Sequence, residues 1–294
     1  MYTVSAMQDR AYISIVRWPS GFSREDRART LVDALGLDDY HAGLRAAQEP
    51  PLVLARVDAA LAPDIVAKFR ARKVSAFAMT QKHLRDHAAP ILVKRLVPAL
   101  GAQDPMYMVE AWRGEGAGLR MADVFLIVRA TLDRSTRSFS AQSGNSLGVT
   151  VMAPEFALIQ GAVSGPVVER TTNHKFTYIL DIYLNDGRRF RINSDRASYD
   201  VLGKARSYTD RENSDKLALR LATEAPAALI DVGFERFRVP PEFTRDMVSV
   251  FGTRTTSQRD ETAIFDFYSV WTYTIHRGLA RAAAQAPAAD QPAL

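Results

Sequence analysis

The chain has 294 residues, 47% of them hydrophobic and 24% charged, with a formal net charge of +5 and no cysteine. This composition excludes a chain that is disordered throughout, and the absence of cysteine excludes disulfides, thiolate metal ligands and cysteine nucleophiles. The length favours two domains over one. The sequence contains neither a signal-peptide core nor an uncharged apolar run of the ~20 residues that span a bilayer, so we expect a soluble, cytoplasmic protein.

The first third of the chain alternates strand-like and helix-like segments. Runs of apolar, aromatic and β-branched residues predict three strands, at 12–16, 52–57 and 74–79. Apolar residues recur at helical spacing in the intervening stretches, which begin after Ser23, at Asp38 or Asp39, and at Pro63. We therefore predict a small β-α-α-β-α-β module at the N-terminus.

This element order is carried by the segments ISIVR, LVDALGLDDYHAGLRAAQEPPLVLAR and IVAKFRARKVSAF. It resembles the compact fold shared by the C-terminal domain of the bacterial ribosomal stalk protein and the adaptor of the Clp protease. The resemblance covers residues 10–80 and rests on element order. A glycine usually precedes the last strand in that family, whereas Lys73-Val74 stands here, and the stalk domain's factor-binding helix is not matched, so no binding residue is carried over. The resemblance implies a module that contacts proteins without chemistry of its own.

The strongest local signal is a β-hairpin at residues 176–193. Asn185-Asp186-Gly187 separates two runs rich in aromatic and β-branched residues, and glycine reaches the positive φ that a tight turn needs. In the return strand, alternation places Arg189 and Arg191 on one face. These arginines either meet a phosphate or pair with Asp181 across the hairpin.

The rest of the chain predicts an α+β fold in which a β-rich, barrel-like domain follows the N-terminal module. Short strand-like runs, including 147–152 and 156–160, and one helix fill residues 121–240, an element order similar to a pleckstrin-homology-like barrel. The predicted divisions are a first domain at 1–100, a glycine-rich linker at 101–120, the β-rich domain at 121–240, a C-terminal helical segment at 241–282 and a disordered Ala/Pro tail at 283–294. An aromatic stripe on the C-terminal helix is typical of a core.

The densest basic segment holds Arg70, Arg72, Lys73 and Lys82, and all of the net charge lies in residues 1–100. Two interpretations stay open. The cations form a surface for an anionic partner such as RNA or an acidic peptide, or they are a solvated helix end whose charges suit the negative end of the helix dipole. Together with Arg189 and Arg191, these four residues are our candidate binding residues.

The sequence offers no motif for catalysis, for a cofactor or for a metal. The glycines at 114–118 lack the strand-loop-helix context and the Gly-Lys-Ser/Thr of a phosphate loop. His83 and His87 are four residues apart, but Leu84 stands where a zinc-protease motif needs glutamate. We therefore predict no catalytic residue, no cofactor and no metal site.

These observations favour a non-enzymatic binding or adaptor protein that acts on a protein or peptide partner. One alternative is an enzyme with a site at the interdomain cleft, which convergence of His174, Asp195, Asp200 and Asp210 on one cavity would support. The other is nucleic-acid binding through the basic first third, which requires those cations to meet on one surface.

Overall fold

The computed structural model describes residues 9–87, 89–99, 104–142, 167–238, 247–251, 254–258 and 261–285. These residues form two sheets and several helices, which confirms the predicted α+β class. The strands predicted at 147–152 and 156–160 and the tail from residue 286 lie outside the described residues. None of the described helices is long and apolar enough to cross a bilayer.

The N-terminal module contains a small antiparallel sheet in the order β2-β1-β3, which we call the small sheet. Its strands are β1 (Arg10–Arg17), β2 (Leu52–Asp58) and β3 (Ser75–Thr80), and its helices are α1 (Arg24–Leu35), α2 (Asp39–Ala46) and α3 (Ala62–Ala71). The predicted order of these six elements is confirmed. The resemblance to the stalk-protein and Clp-adaptor fold stays a prediction.

Local chemistry explains where α1 begins and ends. The Ser23 side chain accepts a hydrogen bond from the Asp26 amide, and the Asp26 carboxylate bonds back to the Ser23 amide, which completes a capping box. Gly36 ends the helix at φ 67°, a left-handed conformation that costs glycine little. The helices cover one face of the small sheet and enclose a core that includes Ile13, Leu31 and Phe69.

The second sheet, here the large sheet, has the strand order β11-β12-β7-β8-β9-β4-β5-β6, and β10 pairs in parallel with β7. Its strands are β4 (Ile91–Pro98), β5 (Met106–Ala111), β6 (Ala117–Arg120), β7 (Val124–Gln142), β8 (Val167–Leu184), β9 (Arg189–Asn193), β10 (Leu229–Asp231), β11 (Met247–Phe251) and β12 (Arg254–Gln258). The predicted hairpin joins β8 to β9 and is confirmed. Gly187 has φ 93°, and Asp181 lies opposite Arg191 in the pairing register.

The structure differs from the predicted divisions at two places. Strand β4 lies inside the predicted first domain of 1–100, yet it pairs with β9 and β5 in the large sheet. The predicted linker at 101–120 contains β5 and β6, which pair with each other. Gly116 of this glycine-rich stretch permits a close approach of the backbone, since a Cβ there would lie 2.7 Å from the Val109 carbonyl oxygen.

The barrel-like closure that we predicted is not formed by the described residues. Strand β6 pairs with β5 alone and β11 pairs with β12 alone, so the large sheet is open. Each face of this sheet carries a helix, α5 (Asp210–Glu224) on one and α6 (Thr262–Gln285) on the other. A sheet covered on both faces buries its apolar side chains without closing into a barrel.

Helix α6 lies between the two sheets. Its aromatic stripe is buried, which confirms the prediction of a core role: Phe265, Tyr268 and Trp271 are at most 3% exposed. Trp271 Nε1 donates to Ser14 Oγ of β1 at 2.9 Å. The layers therefore run from α1–α3 through the small sheet, α6 and the large sheet to α5.

Candidate functional site

The structure divides the predicted basic residues into two groups. Arg72 pairs with Asp33 and donates to Thr30 Oγ1 at 3.3 Å, so it braces α3 against α1. Lys82 is exposed on α4 (Gln81–Asp86). Arg70 and Lys73, by contrast, line a groove between β3 and α6. Lys82 is solvated but lies in the first turn of α4, where the negative end of the helix dipole does not stabilise it. Arg70 lies in the last turn of α3 and Lys73 follows that helix, so both suit the negative dipole end, and their position in the groove leaves the anion-binding interpretation open as well.

Arg189 and Arg191 do not lie on the surface. Each is 5% exposed. Arg191 forms a bidentate salt bridge with Asp181, in which Nε donates to Oδ1 at 2.6 Å and Nη2 donates to Oδ2 at 2.7 Å. Asp266 of α6 lies 2.7 Å from Arg191 Nη1. We call these four residues the charge cluster. Pairing with Asp181, one of the two alternatives that alternation left open, is the arrangement observed.

The charge cluster is sealed from solvent on the Asp181 side. Asp181 is fully buried and also accepts a hydrogen bond from Ser269 Oγ at 2.5 Å. Burial would by itself raise the pKa of Asp181, but the Arg191 guanidinium, with Arg189 and the Ser269 hydroxyl, outweighs burial, and the pKa is lowered. The cluster thus keeps its charges and fastens the hairpin to α6, and no substrate can reach Asp181.

A groove of about 690 Å³ runs between β3 and the C-terminal half of α6, and we call it the edge groove. All five residues from Val74 to Ala78 line it, together with Tyr273, Arg277 and Arg281 of α6. Phe77 packs toward the α6 core, whereas Ala76 and Ala78 pack toward the core of the N-terminal module. Residues from both faces of β3 therefore line the same groove, which indicates that the groove runs along the edge of this strand and not across one face of the sheet.

Strand β3 is an edge strand of the small sheet. Within the described part of the chain it pairs with β1 and with no strand on its other side. In an antiparallel pair, about half of the backbone N–H and C=O groups of such a strand point away from the neighbour. The edge groove therefore presents unpaired backbone donors and acceptors to whatever enters it.

The edge groove is also electropositive. Among the described residues that line it, none is acidic, whereas Arg70, Lys73, Arg277 and Arg281 are cationic. Arg277 is held by the Asn185 carbonyl at 2.6 Å and lies over the Phe125 ring. Arg70, Lys73 and Arg281 form no ion pair with any described residue, so their charges are available to an anionic partner.

Lys73 adopts a backbone conformation that favours glycine. Its φ is 59°, and no other non-glycine residue in the described part of the chain has a positive φ. A left-handed conformation costs an L-residue roughly 1–2 kcal/mol. The Lys73 amide donates to the Arg70 carbonyl at 2.8 Å and the Val74 amide to the Phe69 carbonyl at 3.0 Å, which is the pattern of a Schellman motif at the end of α3. The positive φ of Lys73 therefore ends the helix, and Lys73 also lines the edge groove.

No protein-family model, no curated protein and no solved structure matches this chain.

Among the described residues, no set of three or more His, Asp or Glu side chains has an arrangement that could hold a metal ion. His83 and His87 approach each other with ring centroids 6.1 Å apart. The four residues whose convergence would support an enzyme have separate settings: His174 contacts Asp133, Asp195 contacts Thr177 and Lys175, Asp200 pairs with Arg206, and Asp210 begins α5.

Asp195 and Asp210 nevertheless act on one common neighbour. Burial is the main cause that raises the pKa of Tyr199 to about 12. The negative charge of Asp210 adds to this rise, and the charge of Asp195 adds less. Tyr199 is 3% exposed, so a substrate has no access to it. None of these residues lines the edge groove.

Two of the four cations that line the edge groove, Arg70 and Lys73, are indicated by local charge density in the sequence. The other two, Arg277 and Arg281, lie some 200 residues away on α6 and are not. The signal that could have found them is their spacing of four, which places both on one face of a helix end.

Proposed function

We propose that this protein is a non-enzymatic binding protein that captures an extended acidic segment of a partner protein by strand addition to β3. The observation that carries the proposal is an unpaired strand edge lying along a groove whose charged lining residues are all cationic. In strand addition, main-chain hydrogen bonds supply affinity, and alternate side chains supply specificity.

The geometry matches the requirements of an added strand. Six residues of β3 span about 20 Å at 3.3–3.4 Å per residue, so the edge pairs with about five or six residues of a peptide. Side chains on one face of that peptide would meet Phe77 and the α6 side of the edge groove. Acidic side chains would meet Arg70, Lys73 and Arg281, and each exposed pair contributes about 0.2–1 kcal/mol.

The two functions that the sequence left open have less support. Two cations of the basic first third, Arg72 and Arg95, are paired within the chain, with Asp33 and Glu110. Arg189 and Arg191 are buried. The edge groove offers Phe77 and Tyr273 but presents a strand edge, which suits a peptide backbone rather than a nucleotide chain.

Fluorescence anisotropy with the full chain tests the proposal. The probe is a fluorescein-labelled octapeptide of alternating valine and glutamate, compared with its valine-lysine counterpart and with a version methylated at alternate backbone nitrogens. We expect binding of the acidic probe, and at least tenfold weaker binding of the other two. Equal binding of the methylated peptide would rule out strand addition, and preferred binding of single-stranded RNA would favour the nucleic-acid alternative.

Charge-reversal variants locate the site. We expect Arg70→Glu combined with Arg281→Glu to weaken the acidic probe about tenfold or more, since two attractive pairs become repulsive. Lys204→Glu combined with Arg211→Glu is the matched control, because it changes the net charge by the same amount and both residues are exposed on the α5 side of the large sheet. Equal losses for the two double variants would show that net charge, and not the edge groove, drives binding.

Lys73→Gly separates binding from stability. Glycine relieves the left-handed strain, so we expect the free energy of unfolding to rise by about 1 kcal/mol. The same change removes a groove cation and should weaken the acidic probe. A variant that is more stable and binds less tightly would show that the Lys73 side chain contributes to binding at a cost in stability.

A further inference from the structure

A second cavity, of about 350 Å³, lies between the segment that leads into β4 and the N-terminal half of α6. Its lining is mostly apolar and includes Leu84, Pro90, Phe267 and Val270, with Ala263 at an exposed position. Two charged side chains of the charge cluster, Arg189 and Asp266, also line it. We call it the Arg189 cavity. Its volume lies at the small end of the ~300–1,000 Å³ typical of ligand sites.

Arg189 is buried but incompletely paired. Its contacts to Asp181 and Asp266 are 3.6 and 4.0 Å, far longer than the 2.6 and 2.7 Å that Arg191 makes. Its one hydrogen bond to a described residue runs from Nη1 to the Tyr183 hydroxyl at 3.3 Å, and Nε has no hydrogen-bond partner. A buried cation in this state carries an unrecovered desolvation cost, which a bound anionic group would offset.

Asp266 gives the Arg189 cavity an anionic side. Asp266 Oδ1 is buried and lies 2.7 Å from Arg191 Nη1, whereas the side chain as a whole is 46% exposed, so its other carboxylate oxygen is the one that a ligand can reach. The distance from Arg189 Nη1 to Asp266 Oδ1 is 4.0 Å, so the Arg189 cavity has a cation and a carboxylate close together in its lining. A ligand that carries a carboxylate and an ammonium group on neighbouring atoms would pair with both.

We propose that the Arg189 cavity binds a small aliphatic α-amino acid. The ligand carboxylate pairs with the Arg189 guanidinium, which prefers planar carboxylates. The ligand ammonium pairs with Asp266, and the ligand side chain packs on Phe267, Val270 and Leu84. An ω-amino acid, whose charges are several bonds apart, would not span two charges this close. The proposal concerns a different site from the edge groove and does not depend on it.

Isothermal titration calorimetry and saturation-transfer NMR with the full chain test this assignment. The probes are L-leucine, 4-methylpentanoate, which lacks the ammonium group, and 3-methylbutylamine, which lacks the carboxylate. We expect leucine to bind, and each one-charge analogue to bind at least tenfold more weakly. Absence of heat and of magnetisation transfer with leucine up to about 10 mM would overturn the proposal. Equal binding of 4-methylpentanoate would overturn the zwitterion assignment.

A cavity-filling variant keeps the test independent of folding. Ala263 is exposed at the cavity, so Ala263→Phe fills the space without disturbing the core. Ala280→Phe is the matched control, because Ala280 is exposed on the same helix and lines neither the Arg189 cavity nor the edge groove. We expect Ala263→Phe to unfold at the wild-type temperature and to lose leucine binding, and Ala280→Phe to retain it. Unchanged leucine binding by Ala263→Phe would place the ligand elsewhere.

Discussion

Replacement of Asp181 by Asn tests the charge cluster directly, because the two side chains have nearly the same volume. Asp181 is fully buried and receives two hydrogen bonds from Arg191 and one from Ser269. Removing its charge leaves two buried guanidinium groups with only Asp266 to pair them, and breaking such a buried pair costs about 3–5 kcal/mol. For 294 residues the unfolding entropy is roughly 0.6 kcal/mol/K, so the melting temperature should fall by about 5–8 °C.

Urea unfolding, monitored by circular dichroism, measures this loss in the free energy of unfolding. Asp186→Asn is the matched control. Asp186 lies in the turn of the same hairpin and pairs with Arg188, but its side chain is 51% exposed. Solvent screens an exposed pair, so the control should cost at most about 1 kcal/mol. If Asp181→Asn costs no more than Asp186→Asn, the charge cluster does not fasten the hairpin to α6.

Three further predictions concern stability. The pKa of Asp181 is lowered in the folded protein, so its charge adds stability that is fully present above the unfolded-state pKa of about 3.9. This contribution should be lost progressively as pH falls from about 4 through the lower folded-state pKa, and Asp181→Asn should flatten that part of the wild-type loss in urea titrations. Gly187→Val should lower the free energy of unfolding by about 1–3 kcal/mol because φ there is 93°, and an unchanged urea midpoint would contradict the turn geometry. Trp271→Ala should lower the free energy of unfolding, measured by calorimetry, by about 3–5 kcal/mol, because Trp271 is buried and donates a hydrogen bond to Ser14. Leu279→Ala, at a 44% exposed position of α6, should change it by less than about 1 kcal/mol. Similar losses for the two variants would contradict the packing of α6 between the two sheets.

The elements that the sequence predicted well depend on neighbouring residues. The hairpin at 176–193 follows from period-two alternation around Asp186-Gly187, and both signals are local. The order of elements in the N-terminal module follows from caps and apolar spacing in the same way. Pairings between distant segments carry no comparable signal. The parallel pairing of β4 with β9 joins residues that are about 100 positions apart in the sequence, and neither segment contains a pattern that predicts which strand it pairs with.

Gly116 and helix α6 show why the other predictions about the organisation of the chain differ from the structure. Gly116 can mark a flexible loop or a close backbone approach, and only the position of Val109 decides between them. The aromatic stripe of α6 predicted a buried helix but not that two sheets would bury it from opposite sides. The same limit applies to the candidate site. The sequence placed Arg70 and Lys73 together, but the free edge of β3 beside Arg281 arises only from the tertiary fold.

Residue-resolved amide hydrogen exchange tests strand addition to β3 most directly. The exchange rates of residues 75–80 would be compared with and without the valine-glutamate octapeptide at a saturating concentration. Strand addition predicts that alternate amides of β3, those that point into the edge groove, exchange more slowly when the peptide is bound. Slowed exchange elsewhere, with residues 75–80 unchanged, would contradict the account even if the peptide binds tightly.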